Sequence, residues 1–189
     1  MKTGPKFKVP FRRRLEKKTD YRKRLRLLYS KKMRMVVRKS LKHIKAQIIE
    51  FDFKGDKTLV STTSQELKKF GWDGSTDNMS SAYLTGLLIG KKALSKKINS
   101  VILDISNQRN VKGSRVFAVL KGALDAGLEI QHSPDVFPSE DRIKGKHIMD
   151  YAEKLKKDDE KLYKKQFSTS HPEKIVEMFE KVKLNLMKG

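Results

Sequence analysis

The spacing of the apolar residues between 34 and 130 changes in an order that few folds accommodate. Three segments with strand-like patterns come first, at 34–40, 43–53 and 58–64, and their short connections predict antiparallel pairing. A helix, a strand, a second helix and a short last strand follow. The order β-β-β-α-β-α-β predicts an α/β fold with two right-handed crossovers and a mixed sheet against which helices pack.

The second of these strands contains an irregularity. From Ile44 to Ile48 every second residue is apolar, and the apolar phase then slips by one residue to Ile49, Phe51 and Phe53. Such a slip predicts a β-bulge or a twist at the end of the strand.

Capping residues delimit the two helices. Asn78 is the predicted N-cap of the first helix, which extends to about residue 97. Ser114 is the predicted N-cap of the second, and Gly127 is placed to end it. Between them, residues 100–105 form a continuous apolar run, which is typical of a strand covered on both faces.

The first 30 residues have a different pattern. Pro5 and Pro10 break any helix, so residues 1–14 are predicted to form an extended arm. From 15 to 30 the apolar spacing becomes helical, and basic residues cover the rest of the predicted helix.

The residues after 132 are predicted to be helical but too polar to form a core of their own. A charged helix is expected over 140–165, and Ser170, Pro172 and Glu173 have the spacing of a capped start to a final helix. The chain therefore divides into a basic N-terminal arm and helix, an α/β core domain and a C-terminal helical extension, at 1–30, 31–132 and 133–189.

The positive charge is concentrated at the N-terminus. Residues 1–45 contain 19 Lys and Arg against 2 acidic residues, whereas the rest of the chain contains 25 basic and 20 acidic ones. A nearly balanced body with a cationic leading segment favours binding to a polyanion, and nucleic acid above all. High surface charge for solubility and attraction to anionic lipid remain as alternatives. The lipid alternative requires an amphipathic helix, which Gly4, Pro5 and Pro10 disfavour.

Several function classes are excluded or disfavoured. The chain has no cysteine, which excludes disulfides, thiolate zinc sites and cysteine nucleophiles. No apolar run approaches the roughly 20 residues needed to span a bilayer, and the basic start lacks the apolar stretch of a secretory signal. We therefore expect a soluble, intracellular protein with no membrane partner.

No catalytic or metal-binding pattern stands out, so we expect no enzyme, cofactor, metal or small-molecule substrate. Gly86 to Lys92 resembles a phosphate loop, but the glycine spacing is wrong and the segment lies within a predicted helix, where Gly86 and Gly90 favour close packing on the sheet. Asp104 ends a buried strand without the second carboxylate that a metal-dependent nuclease needs, so we expect it to accept hydrogen bonds. The four histidines are dispersed along the chain.

The chemistry that is present suits RNA. Lys and Arg side chains neutralise phosphates, and Phe7, Phe11 and Tyr21 lie among them, where flat rings could stack on unpaired bases. A second basic cluster surrounds the first strand turn, between Arg34 and Lys45. Each single cation could equally be a solvated charge, but as a group they favour RNA binding.

Six collinear blocks resemble one known family. They are GPKFKVPFRRRLEKKTDYRKRLRLL (4–28), VVRKSLKHIKAQII (36–49), SAYLTGLLIGKKAL (81–94), VILDI (101–105), GSRVFAVLKGALDAGLEI (113–130) and HSPDVFPSEDRIKGKHIMDYAE (132–153). Together they are similar to the archaeal branch of the large-subunit ribosomal protein family L-eighteen (uL-eighteen), whose eukaryotic relatives are called L-five. Gln131 and the loop Gln108-Arg109-Asn110 depart from the family pattern.

The resemblance implies a three-layer α/β domain of translational-machinery type, with ribonuclease-H-like topology but without that activity. It implies a structural protein of the cytoplasmic large ribosomal subunit that binds 5S rRNA and anchors it to large-subunit rRNA in the central protuberance. A neighbour of the bacterial-type L-five (uL-five) family is a further implied partner.

The resemblance and the charge pattern together assign RNA contacts to the arm, the first strand turn and the start of the second helix, where free N–H groups can meet phosphate. These positions are Phe11, Arg12, Arg13, Arg14, Lys17, Lys18, Tyr21, Arg22, Arg24, Arg26, Arg34, Arg38, Lys39, Ser40, Lys42, His43, Lys45, Lys112, Ser114 and Arg115. Two other functions remain open on the same fold, a metal-dependent nuclease acting through Asp104 and a general RNA chaperone.

Overall fold

The computed structural model describes residues 4–5, 8–168 and 171–188, and these contain the predicted succession of strands and helices. The elements are α1 (Arg12–Leu15), α2 (Tyr21–Tyr29), β1 (Arg34–Lys39), β2 (Ile44–Glu50), β3 (Lys57–Thr63), α3 (Met79–Ser95), β4 (Ser100–Asp104), α4 (Arg115–Asp125), β5 (Glu129–Ile130), α5 (Glu140–Lys144), α6 (Lys146–Asp158), α7 (Glu160–Gln166) and α8 (Ile175–Lys188). In this part of the chain no helix combines the length and the apolar character needed to cross a membrane.

The sheet has five strands in the order β3-β2-β1-β4-β5. β1, β2 and β3 pair antiparallel, and β4 joins β1 and β5 in parallel. Helices α3 and α4 form the connections that lead from β3 to β4 and from β4 to β5. The α/β class and the order β-β-β-α-β-α-β predicted from the sequence are therefore confirmed.

The predicted irregularity in β2 is confirmed as well. The pairing of β2 with β3 shifts register between Ile48 and Ile49. Ile48 is fully buried, but the aromatic residues beyond the shift do not return to the core, since Phe51 is 42% exposed and Phe53 is 96% exposed. The slipped apolar phase thus marks the end of the strand.

Glycines in α3 allow a close approach, but to a helix and not to the sheet as the sequence predicted. A Cβ on Gly86 would collide with the backbone carbonyl of Val119 in α4, and a Cβ on Gly122 of α4 would collide with the backbone of Tyr83 in α3. The two helices therefore pack backbone against backbone, at a distance that larger side chains would prevent.

The predicted helix caps are found at both helices. The side chain of Asn78 accepts a hydrogen bond from the Ser81 N–H at 2.7 Å. Ser114 occupies the N-cap position of α4, although its side chain makes no capping hydrogen bond. Gly127 follows α4 with a φ of 102°, the left-handed conformation that glycine adopts without strain.

The predicted helix over 15–30 is wrong in its first part. Lys17 has a left-handed φ of 52°, which ends the single turn of α1. The side chain of Asp20 then accepts hydrogen bonds from the N–H groups of Arg22 and Lys23, so that α2 begins at Tyr21.

The predicted helix over 140–165 is divided into three. Gly145 breaks it with a φ of 86°, and Asp159 caps a new helix by accepting hydrogen bonds from the N–H groups of Lys161 and Leu162. The final helix is present, but Pro172 starts a 3₁₀ turn before it. The predicted cap Ser170 lies outside the described residues.

The C-terminal helix contributes directly to the main core. Ile175, Phe179, Val182 and Leu186 of α8 are buried in the same cluster as the inner side chains of the sheet. The expectation that the C-terminal helices have no separate core agrees with this packing.

Candidate nucleic-acid interface

The two faces of the sheet differ in chemistry. Met35 and Val37 of β1 point into the core, so the residues that alternate with them point to the opposite, outer face. Beyond the buried Arg34 and Val36, that face carries Arg38, Lys45, Gln47, Ser61 and Thr63. Arg38 and Lys45 are directly opposite each other, and like charges in that position repel. An anion bound between them would relieve the repulsion, which makes this face a candidate phosphate site.

Arg34 was predicted to lie on the exposed basic surface, but this prediction is wrong. Its side chain is buried and donates to Asp104 Oδ2 at 2.8 Å and to Asp56 Oδ2 at 2.7 Å. The Ser106 N–H donates to the other oxygen of Asp104 at 2.8 Å. Asp104 is therefore a hydrogen-bond acceptor, as predicted, and Arg34 is held where a phosphate cannot easily reach it.

Asp56, one of the two aspartates that pair with Arg34, also holds the arm. Asp56, in the turn between β2 and β3, accepts a hydrogen bond from Arg24 of α2 at 2.9 Å through its second oxygen. Asp56 therefore connects α2 to β1 by two ion pairs. Charged partners so far apart in sequence give no local signal, so this role of Asp56 was not predicted.

The loop after β4 holds the arm by hydrogen bonds to its backbone. The Ser106 hydroxyl donates to the carbonyl of Lys18 at 3.3 Å, and the Asn107 amide donates to the carbonyl of Lys17. The amide of Gln108 donates to the carbonyl of Val37 at 2.9 Å, which attaches the loop to β1. Because these contacts use backbone carbonyls, the lysine side chains of the arm stay exposed.

A cleft of about 400 Å³ separates the arm from the outer face of the sheet. Its basic residues come from both sides, Arg13, Lys23 and Arg24 from the arm and Arg34 and Arg38 from β1. Arg24 and Arg34 are paired with carboxylates, whereas Lys23 and Arg38 have no ionic partner among the described residues. The cleft therefore offers a phosphate two cations, Lys23 and Arg38, that have no ionic partner in the described part of the chain.

Phe11 and Tyr21, two of the arm residues predicted to stack on bases, lie next to each other. The rings of Phe11 and Tyr21 are 5.2 Å apart between centroids and tilted by 50°, and Phe11 is 72% exposed. Phe7, the third predicted stacking residue, lies outside the described residues. The exposed ring of Phe11 has a free face that a nucleobase could cover.

The turn between β1 and β2 is held by Ser40 and His43 together. The Ser40 hydroxyl donates to the His43 carbonyl at 2.8 Å and accepts from the His43 N–H at 2.9 Å. The hydroxyl of Thr76 donates to the carbonyl of Lys42, so it accepts from Nδ1 of His43 at 2.9 Å, and Nε2 is left to accept from Gln65 at 2.8 Å.

Both ring nitrogens of His43 are therefore engaged within the protein. The same network presents Lys39 and Lys42 to solvent on either side of Leu41, which is itself 95% exposed. Lys39 and Lys42 are therefore available to contact RNA. Ser40 and His43 were also predicted to contact RNA, but here they stabilise the turn.

At the start of α4, residues predicted to contact RNA also make contacts within the protein. Nη1 of Arg115 donates to the carbonyl of Asp77 at 2.7 Å and forms an ion pair with its carboxylate, which holds the loop before α3. Lys112 lies 3.8 Å from Asp135 and is mostly exposed. The Ser114 hydroxyl is buried, and no hydrogen-bond partner for it is found in the described part of the chain.

The other predicted cations of the arm all lie on its exposed surface. They are Arg12, Arg14, Lys17, Lys18, Arg22 and Arg26. Arg12 and Lys18 both contact Glu16, at 3.3 and 2.8 Å, but the Arg12 side chain remains 84% exposed. Surface pairs of this kind are weak, so these side chains can exchange Glu16 for a phosphate.

The carboxylates do not assemble into a metal centre. Among the described residues there is no group of three or more His, Cys, Asp or Glu side chains that could hold an ion. Asp104 faces Arg34 instead of a second carboxylate.

Comparison with known protein families finds a match over most of the chain. Residues 5–100 and 95–133 match the family described as "Ribosomal large subunit proteins 60S L5, and 50S L18". Membership implies an rRNA-binding ribonucleoprotein component with a place in translation and a cytoplasmic, ribosomal location. The outer face of the sheet and the arm both carry cations that have no ionic partner among the described residues, and this agrees with that role. The chain belongs to the family of ribosomal large subunit proteins 60S L5 and 50S L18.

Proposed function

We propose that this protein binds 5S rRNA and anchors it to large-subunit rRNA in the central protuberance, as a structural component without catalytic activity. The observation that carries the proposal is the cleft between the arm and the outer face of the sheet, in which Lys23 on one side and Arg38 on the other have no ionic partner among the residues described. A groove with cations on two walls can hold an RNA backbone in one orientation, which a flexible basic tail alone cannot.

The proposal divides the contacts between two kinds of surface. The exposed cations between 8 and 30 supply affinity through phosphate neutralisation, and the outer face of the core domain, 31–132, supplies a rigid surface that selects shape. The C-terminal extension, 133–189, is proposed to support the core and to lie toward neighbouring proteins, among them a member of the L-five (uL-five) family.

A metal-dependent nuclease is the less favoured alternative. Such an enzyme needs clustered carboxylates to hold its metal ions, but Asp104 accepts hydrogen bonds from the buried Arg34 and from Ser106. A cation beside Asp104 would have to displace the guanidinium of Arg34. Magnesium-dependent RNA cleavage by the purified protein that is lost in Asp104→Asn would favour the nuclease.

Competition binding tests the proposal against a general RNA chaperone. The full chain is titrated with 5S rRNA and with a shuffled RNA of equal length at the same salt concentration. We expect a marked preference for 5S rRNA, because the rigid outer face favours one RNA shape. Equal affinity for both RNAs would leave a chaperone as the better description.

A further inference from the structure

Two aromatic side chains project from the turn between β2 and β3 without any role in the core. The rings of Phe51 and Phe53 meet edge to face, with 5.3 Å between centroids and 69° between planes. Phe53 is 96% exposed. A phenylalanine in water costs free energy unless a partner covers it, so this pair indicates a contact surface.

The buried Arg34 anchors the turn that carries the pair through its ion pair with Asp56. Asp52 pairs with Lys57 at 2.7 Å and accepts a hydrogen bond from the Lys54 N–H at 3.3 Å. Asp56 pairs with both Arg24 and Arg34. A partner that binds here meets rings already in place, which lowers the entropic cost of binding.

The basic surface of α2, which adjoins the turn through Arg24 and Asp56, favours an anion as the partner. At the turn itself, Asp52 and Asp56 are neutralised by cations. The exposed Glu50 and Lys54, on either side of the pair in the sequence, have no ionic partner among the described residues and balance each other. Two rings are too small an apolar patch for the core of a stable protein interface, which buries much more surface.

We propose that Phe51 and Phe53 form a stacking site for an unpaired nucleobase of ribosomal RNA, with Lys54 beside it to meet the phosphate. The inference rests on the proposed function and adds an RNA contact that neither the charge pattern nor the family blocks assigned. Every base has a flat face, so the site accepts an unpaired nucleotide without reading its identity.

Binding measurements with three variants of the full chain test this site. Deproteinised large-subunit rRNA, including 5S rRNA, is the probe. We expect Phe53→Ser to weaken binding about tenfold and Phe53→Trp to preserve it, since stacking needs a flat ring. The matched control is Leu184→Ser, which removes another exposed apolar side chain, on α8 and outside the surfaces proposed to bind RNA. The control should bind as the unaltered protein does.

Ultraviolet cross-linking locates the contact directly. Irradiation of the complex followed by mass spectrometry should find a nucleotide on the peptide that contains 51–53. Unchanged affinity of Phe53→Ser together with no cross-link there would overturn the stacking site. So would a Phe53→Ser variant that binds rRNA normally but fails to enter large subunits, because that result indicates a protein partner. If the unaltered protein does not bind the rRNA at all, the proposed function itself fails.

Discussion

The two ends of the chain are attached to the α/β core by opposite physical means. At the C-terminal end, α8 buries Phe179 and Val182 in the main core. At the N-terminal end, α1 and α2 contain no buried residue, and the arm is held by the ion pair of Arg24 with Asp56 and by hydrogen bonds to its backbone.

This difference determines what each end can do when RNA binds. Burial of apolar surface is not weakened by electrostatic screening, and it ends only when the core opens. Ion pairs near the surface are screened by salt and compete with phosphate for the same cations. The arm can therefore exchange protein partners for RNA, whereas α8 remains part of the scaffold.

The largest expected effect is on the C-terminal attachment. Phe179→Ala removes a ring that is 2% exposed and lies 5.5 Å from the Tyr83 ring, so we expect a decrease of about 3–5 kcal/mol in the free energy of unfolding. Urea denaturation followed by circular dichroism measures it. The control Leu184→Ala truncates a side chain of the same helix that is 56% exposed and should change stability little. Equal decreases in both variants would show that α8 is not held by its buried face.

A smaller effect is expected at the N-terminal attachment. Asp56→Ala removes the carboxylate shared by Arg24 and Arg34, and Arg34 keeps only Asp104, so we expect the free energy of unfolding to fall by about 2 kcal/mol. Hydrogen exchange should show that the amides of α2 lose protection while those of α8 keep theirs. Asp52→Ala, which removes a carboxylate of the same turn that pairs only with the exposed Lys57, is the control. Unchanged exchange in α2 would mean that the loop after β4 holds the arm alone.

Local patterns predicted the local features of this fold. The slip of the apolar phase at Ile49 correctly predicted the irregularity in β2. Asn78 and Gly127 correctly predicted the start of α3 and the end of α4. Each of these signals concerns residues that are neighbours in the chain. The division of the predicted C-terminal helix at Gly145 was missed because a glycine within a helical pattern does not by itself establish a break.

Long-range partners could not be predicted in the same way. Arg34 has the charge of a surface residue, and its partners Asp56 and Asp104 are 22 and 70 positions away. Gly86 indicated a close approach, but a glycine does not identify the surface that approaches it. The charge pattern of the sequence was sufficient to predict the exposed cations of the arm. The cleft beside them is formed by residues far apart in the chain, so it could not be predicted from the sequence.

The third prediction concerns RNA affinity. Arg12, Arg13 and Arg14 are exposed, so changing all three to Gln should weaken 5S rRNA binding about tenfold and lower the slope of log K against log salt by about 0.7–0.9 for each phosphate that the arm no longer neutralises. Filter binding across a salt series measures both. The matched control changes Lys154, Lys157 and Lys161, three exposed lysines of α6 and α7, to Gln and alters the net charge equally. If the two triple variants behave alike, net charge and not the arm determines affinity.

The smallest expected effect is the pH dependence of the α2 cap. Hydrogen bonds from the N–H groups of Lys23 and Arg22 hold the pKa of Asp20 below its usual range, so the ionised carboxylate stabilises the start of α2. That contribution is present above the pKa of the unfolded state and is lost as pH falls through the lower pKa of the folded state. Carbon chemical shifts of Tyr21–Arg24 should therefore move toward random-coil values in acid. The control Asp20→Asn keeps a capping side chain that does not titrate, so we expect these chemical shifts to stay unchanged in acid. An identical titration in both proteins would show that the Asp20 cap does not cause the change.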